Sequence, residues 1–91
     1  MTNQLQSNEN YLTNPQDYFC SFDLGCCAAL LSIGYELETL NKDNPRKVAF
    51  ILKRANGIDI AINNYWSSDL KVDARTYFDN IKMLKNRIYS D

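Results

Sequence analysis

The chain contains no histidine. That removes the Ser-His-Asp and Cys-His nucleophile pairs, along with the side chain that most often exchanges protons near neutral pH. Glycine is also scarce: Gly25, Gly34 and Gly57 stand alone, so no glycine-rich loop is available to wrap a phosphate. The three cysteines are Cys20, Cys26 and Cys27, two of them adjacent, which is not the spaced-pair arrangement of a zinc site. No apolar run approaches the roughly 20 residues needed to span a bilayer. The N-terminal stretch "MTNQLQSNENYLTNPQD" has neither the basic cluster nor the apolar centre of a signal peptide. These absences argue against an enzyme, a bound cofactor and a metal centre. They favour a cytoplasmic chain whose thiols stay reduced.

What is present describes a small globular domain. A hydrophobic share of 45% and a charged share of 23% are ordinary for one, and 91 residues suffice for a single modest core. Residues 1–16 are polar, rich in Asn and Gln, and lack periodicity, which predicts a flexible tail; residues 17–91 form the domain. "DYFCS" reads as an extended edge strand. A helix should then start near Ser21 or Asp23, either of which can cap exposed backbone N–H groups. Its inward stripe is Leu24, Cys27, Ala28, Leu30 and Leu31, and Gly34 ends it. Within that stripe the cysteines act as small hydrophobic filling.

"YELETL" and "KVAFILKR" alternate in the manner of two strands, joined by the turn formers of "NKDNPR". Strict alternation sets Tyr35, Leu37 and Thr39 against Glu36, Glu38 and Leu40. On the second strand it sets Val48, Phe50 and Leu52 against Ala49 and Ile51, leaving a second face open to another chain. "NGIDIAINNYWSS" returns to helical spacing through Ile58, Ala61, Ile62, Tyr65 and Trp66. Asp73 caps a last helix, and Val72 ahead of it can staple to Tyr77. Ala74, Phe78, Ile81, Leu84 (or the stem of Lys85) and Ile88 are its expected buried stripe. The predicted fold class is α+β, in the order β-α-β-β-α-α. An antiparallel hairpin or three-stranded sheet is packed on one side by three helices. So small a sheet leaves an edge open, which favours a homo-oligomer.

Charge is uneven along the chain. Residues 1–45 hold one basic residue against six acidic ones, whereas residues 46–91 hold nine basic against five acidic. Such asymmetry marks either a polyanion-binding face or mutual attraction between the two halves. Glu36 and Glu38, on one strand face, read as solvated carboxylates rather than a cation site or an acid–base pair. Trp66 is expected in the core, and Tyr65 stands between core and recognition patch. The candidate binding set is Arg46, Lys47, Tyr65, Lys71, Arg75, Lys82, Lys85 and Arg87. In it Arg75, Lys82 and Lys85 could line a stripe with Arg46, Lys47 or Lys53, holding phosphates while tyrosines stack on bases.

The order "S-x-D…A-A-x-L…G-Y-x-L", then "K-V-A-F", then an aromatic pair before "D-L-K-V-D-A-R-T-Y-F…I-K-M-L-K-N-R-I-Y" resembles a family of short uncharacterised proteins from bacteria and their phages, a domain of unknown function. The resemblance spans about residues 18–89 and is most specific from Leu70 to Tyr89. Gly25, Cys26 and Cys27 depart from it, standing where larger apolar or aromatic residues are common. It implies a small α+β domain in a phage or mobile-element setting and carries no catalytic residue. Two functional expectations stand. The first is a non-enzymatic binding protein, such as a counter-defence accessory factor, that engages a protein partner or a small anionic ligand. The second is a nucleic-acid-binding accessory protein that uses the basic C-terminal half. Neither involves a membrane.

Overall fold

The computed structural model describes residues 14–90. Strand β1 (Tyr18–Ser21) leads into helix α1 (Leu24–Ser32). The hairpin strands β2 (Leu37–Asn41) and β3 (Ala49–Lys53) follow, then helices α2 (Ile58–Trp66) and α3 (Ala74–Tyr89). The β-α-β-β-α-α order is the one expected. The strands form an antiparallel sheet in the order β1-β3-β2, so β3 inserts between the two strands that α1 connects. Of the segment expected as a tail, residues 1–13 lie outside the described residues. Asn14 begins a turn, its carbonyl accepting from the backbone N–H groups of Asp17 and Tyr18.

Helix α1 is the hub of the molecule. It packs against β3, α2 and α3 at once, and five successive residues, Cys26 to Leu30, are buried. A helix enclosed on every side needs apolar residues all round rather than one stripe. Small ones at Gly25, Cys26, Cys27, Ala28 and Ala29 let three neighbours come close. Both ends are built as the sequence predicts. The Asp23 carboxylate accepts from the Cys26 N–H at 2.7 Å, capping the first turn. At the other end Gly34 takes φ +110°, while Tyr35 N–H and Gly34 N–H return to the carbonyls of Leu30 and Leu31. That pair of bonds is the Schellman ending.

The hairpin departs from strict alternation at one residue. Leu37 pairs with Leu52 and Thr39 with Ile51, so Glu38 is an extra residue in a β-bulge. The bulge brings Leu40 opposite Phe50, and both Leu37 and Leu40 pack against the core cluster. Strict alternation instead places Leu40 with the glutamates. On the outer face of β3, Ile51 is only 1% exposed, and it lies with Cys20, Phe22 and Ala49 in a hollow of about 330 Å³ that Asn41, Asp43, Asn44 and Lys47 also line.

The inward stripe of α3 is rotated from the one predicted. Leu84 is buried, with Tyr77, Ile81, Met83 and Ile88 packed on the core, whereas Ala74 and Phe78 face solvent. Tyr77 and Phe78 compete for the first turn, and Tyr77 takes the inward place with its hydroxyl donating to the Gly25 carbonyl at 3.4 Å. Trp66, expected inside, is 60% exposed and lies edge-on against Tyr65, ring centroids 4.9 Å apart. It falls on the flank of α2, because Ile58, Ala61 and Tyr65 already occupy the inward arc. No described helix is long and apolar enough to cross a membrane.

Candidate functional site

The loop between β2 and β3 reaches the C-terminal end of α3. Lys42 Nζ donates to the carbonyl of Ser90, anchoring loop to helix. Beside that contact a groove of about 330 Å³ is lined by Phe22, Leu24, Pro45, Arg46, Lys47, Val48, Phe50, Ile88 and Tyr89. Leu24, Val48, Phe50 and Ile88 give it apolar side chains, and among the described residues its charges are the two cations, with no acid in the lining. Two rings stand at its rim largely in water, Phe22 at 57% exposed and Tyr89 at 84%. Lys47 Nζ lies 4.4 Å from the centroid of the Phe22 ring, a cation–π pair that holds ring and ammonium on one surface.

Local sequence explains the placement. Phe22 occupies the position just before the Asp23 cap, where an apolar residue usually packs on the fourth residue after the cap. Here that residue is the small, buried Cys27, and the Phe22 ring stays outside. In the loop, Asn44 Oδ1 accepts from the Arg46 N–H and the Asn44 carbonyl accepts from the Lys47 N–H, a turn that projects both cations. Tyr89 ends α3. Lys85 and Lys82, four and seven residues before it, share its exposed flank by helical spacing. Phe78 continues that line, with Lys82 Nζ 5.3 Å from its ring centroid.

Of the predicted binding residues, the structure brings together Arg46 and Lys47, with Lys85 and then Lys82 leading away along α3. The others lie elsewhere. Arg75 is in the first turn of α3, 3.8 Å from Asp79, and Lys71 precedes that helix. Arg75 is about 21 Å from Tyr89 at the helical rise. Arg87 projects from the opposite flank of α3. Lys53 belongs to Glu36 and Glu38, at 3.3 and 3.9 Å, and therefore to no phosphate-binding stripe.

Tyr65 is not at the groove either. Its hydroxyl meets Tyr77 and Asp23 over Gly25, and burial with these neighbours pushes it up to about 12. As groove residues, Phe22 and Ile88 escape the sequence reading. The one available signal is a phenylalanine ahead of a cap with only a cysteine to staple to.

The thiols are packing elements. Cys26 and Cys27 are fully buried, and burial pushes them up to about 11 and 12 respectively, far from the thiolate range. Among the described residues, no three His, Cys, Asp or Glu side chains gather in a way that could hold a metal ion.

Residues 16–90 match the model of a family described as a domain of unknown function, DUF5659, and the chain belongs to that family. No curated protein matches the chain. No solved structure matches it either.

Proposed function

We propose that this DUF5659 protein is a non-enzymatic binding module whose contact surface is the groove between the β2–β3 loop and the end of α3. The observation that carries this reading is the meeting of Arg46 and Lys47 with Ile88 and Tyr89 in a groove that no acid lines among the described residues. Four other cations have acidic or carbonyl partners: Lys53 with Glu36 and Glu38, Arg54 with Asp59, Arg75 with Asp79, and Lys42 with Ser90. The groove's cations have no such partner in the lining. The chemistry that fits is a negative charge joined to a flat or apolar group, as in a small aromatic anion or an acidic segment of a protein partner.

A sulfated hexasaccharide serves as a polyanion probe of the charge component. In a titration of the full chain followed by amide NMR, shifts should centre on Arg46, Lys47 and Tyr89. The double variant R46E/K47E should bind it at least tenfold more weakly. Shifts centred on Lys71 and Arg75, or an unchanged affinity for the double variant, would place the binding surface elsewhere.

A further inference from the structure

We infer that the groove and the exposed flank of α3 form one track for single-stranded nucleic acid; this rests on the reading above and names its ligand. The track begins at Phe22, passes Arg46 and Lys47, reaches Tyr89, and continues through Lys85 and Lys82 to Phe78. Rings and cations alternate along it. From Phe78 to Tyr89 the helix rises about 16 Å, the span of a few nucleotides.

Three features favour unpaired bases over other anions. First, the rings are exposed where folding gives them no reason to be: Phe22, Phe78 and Tyr89 are 57%, 58% and 84% accessible. Exposed rings interleaved with cations are how sequence-tolerant single-strand sites work, the rings stacking bases and the cations following the phosphates. Second, ammonium groups already sit over Phe22 and Phe78, so the spacing between ring and cation is set before any ligand arrives. Third, among the described residues no acid lines the groove itself; Asp43 stands in the adjoining hollow with Phe22 and Lys47, and the acid nearest in sequence to the α3 flank, Asp79, is 3.8 Å from Arg75. A duplex keeps its bases stacked inside and cannot use the rings. An acidic peptide could use the cations but has no need of three flat partners.

The test is fluorescence anisotropy of the full chain at 25 and 150 mM NaCl with three labelled probes. These are a dodecamer of oligothymidylate, a DNA duplex of the same length and a polyglutamate peptide. With about four phosphate contacts, affinity for the oligothymidylate should fall on the order of 100-fold across that salt range. Y89A and F22A should each weaken its binding by about 5- to 100-fold. K71E, away from the track, should change it less than twofold. Because Tyr89 and Phe22 are mostly in water, thermal melts of Y89A and F22A should match the parent chain. A duplex that binds as tightly as the single strand, with Y89A silent, overturns the inference. If polyglutamate binds in an R46E/K47E-sensitive way and oligothymidylate does not, the groove stands as an anion site and the nucleic-acid ligand falls. If no probe binds at 25 mM NaCl, both readings fall.

Discussion

Gly25 lies under two tyrosine hydroxyls, and there a missing side chain matters most. A methyl group on it would stand 2.6 Å from Tyr65 Oη and 3.2 Å from Tyr77 Oη, and rigid rings cannot retreat as a lysine tip would. Gly25→Ala should therefore cost about 1–3 kcal/mol through overpacking. Adding Tyr65→Phe removes the nearer oxygen, so the double variant should recover part of the loss. Urea unfolding of the four proteins of the cycle measures this; equal losses with and without the Tyr65 hydroxyl would refute the contact. The neighbouring cysteines give a second residue-scale test. Their folded pKa values, about 11 for Cys26 and about 12 for Cys27, lie above the ordinary 9.0. Raised acids keep their protons in the fold, so their contribution is intact below pH 9 and is lost as pH climbs toward 11–12. Denaturant midpoints should hold from pH 7 to 9 and then fall. At pH 8 a thiol-reactive disulfide reagent should modify only Cys20 in the folded chain and all three cysteines in urea.

The six elements and their order follow from local signals: the Asp23 and Asp73 caps, the Gly34 ending, and a shift of period from 3.6 to 2 and back. Faces were harder to read than elements. In α3, Tyr77 and Phe78 are adjacent, and either begins an apolar line at helical spacing; Tyr77 packs on the core and its hydroxyl finds the Gly25 carbonyl, a partner that Phe78 could not use. Leu84→Ala should thus cost about 2–5 kcal/mol, while Phe78→Ala should fall within about 0.5 kcal/mol of the parent. Comparable losses for the two would restore the stripe expected from sequence. In β2 the alternation is broken by Glu38, and period alone carries no mark of a bulge. The reward for the extra residue is that Leu37 and Leu40 both face the core although they stand three apart. Leu40→Ser should therefore destabilise by about 1–3 kcal/mol in thermal unfolding. Strict alternation, with Leu40 in solvent, predicts almost none.

At the scale of the molecule, the proposed site gathers Arg46, Lys47, Lys82 and Lys85 from the basic C-terminal half. Half of the candidate set, Arg46, Lys47, Lys82 and Lys85, falls on the proposed track, and each is a cation in a turn or on a polar helix flank. Their grouping was not legible in the sequence, since it depends on the β2–β3 loop folding back to the end of α3, a contact between residues more than 40 positions apart. Arg75 and Arg87 are set apart within α3 itself, Arg75 by its place in the first turn beside Asp79 and Arg87 by its opposite flank. A net charge of −1 should give no attraction to a polyanion if charge acted only as a sum. If the groove's cations act as a local patch, the chain should be retained on immobilised heparin at pH 8. Reversing Arg46 and Lys47 to glutamate should then abolish retention. Reversing Lys71 and Arg75 shifts the net charge by the same amount and should leave elution salt nearly unchanged. Equal effects from the two pairs would mean that the protein responds to total charge, and the groove would have no standing as a site.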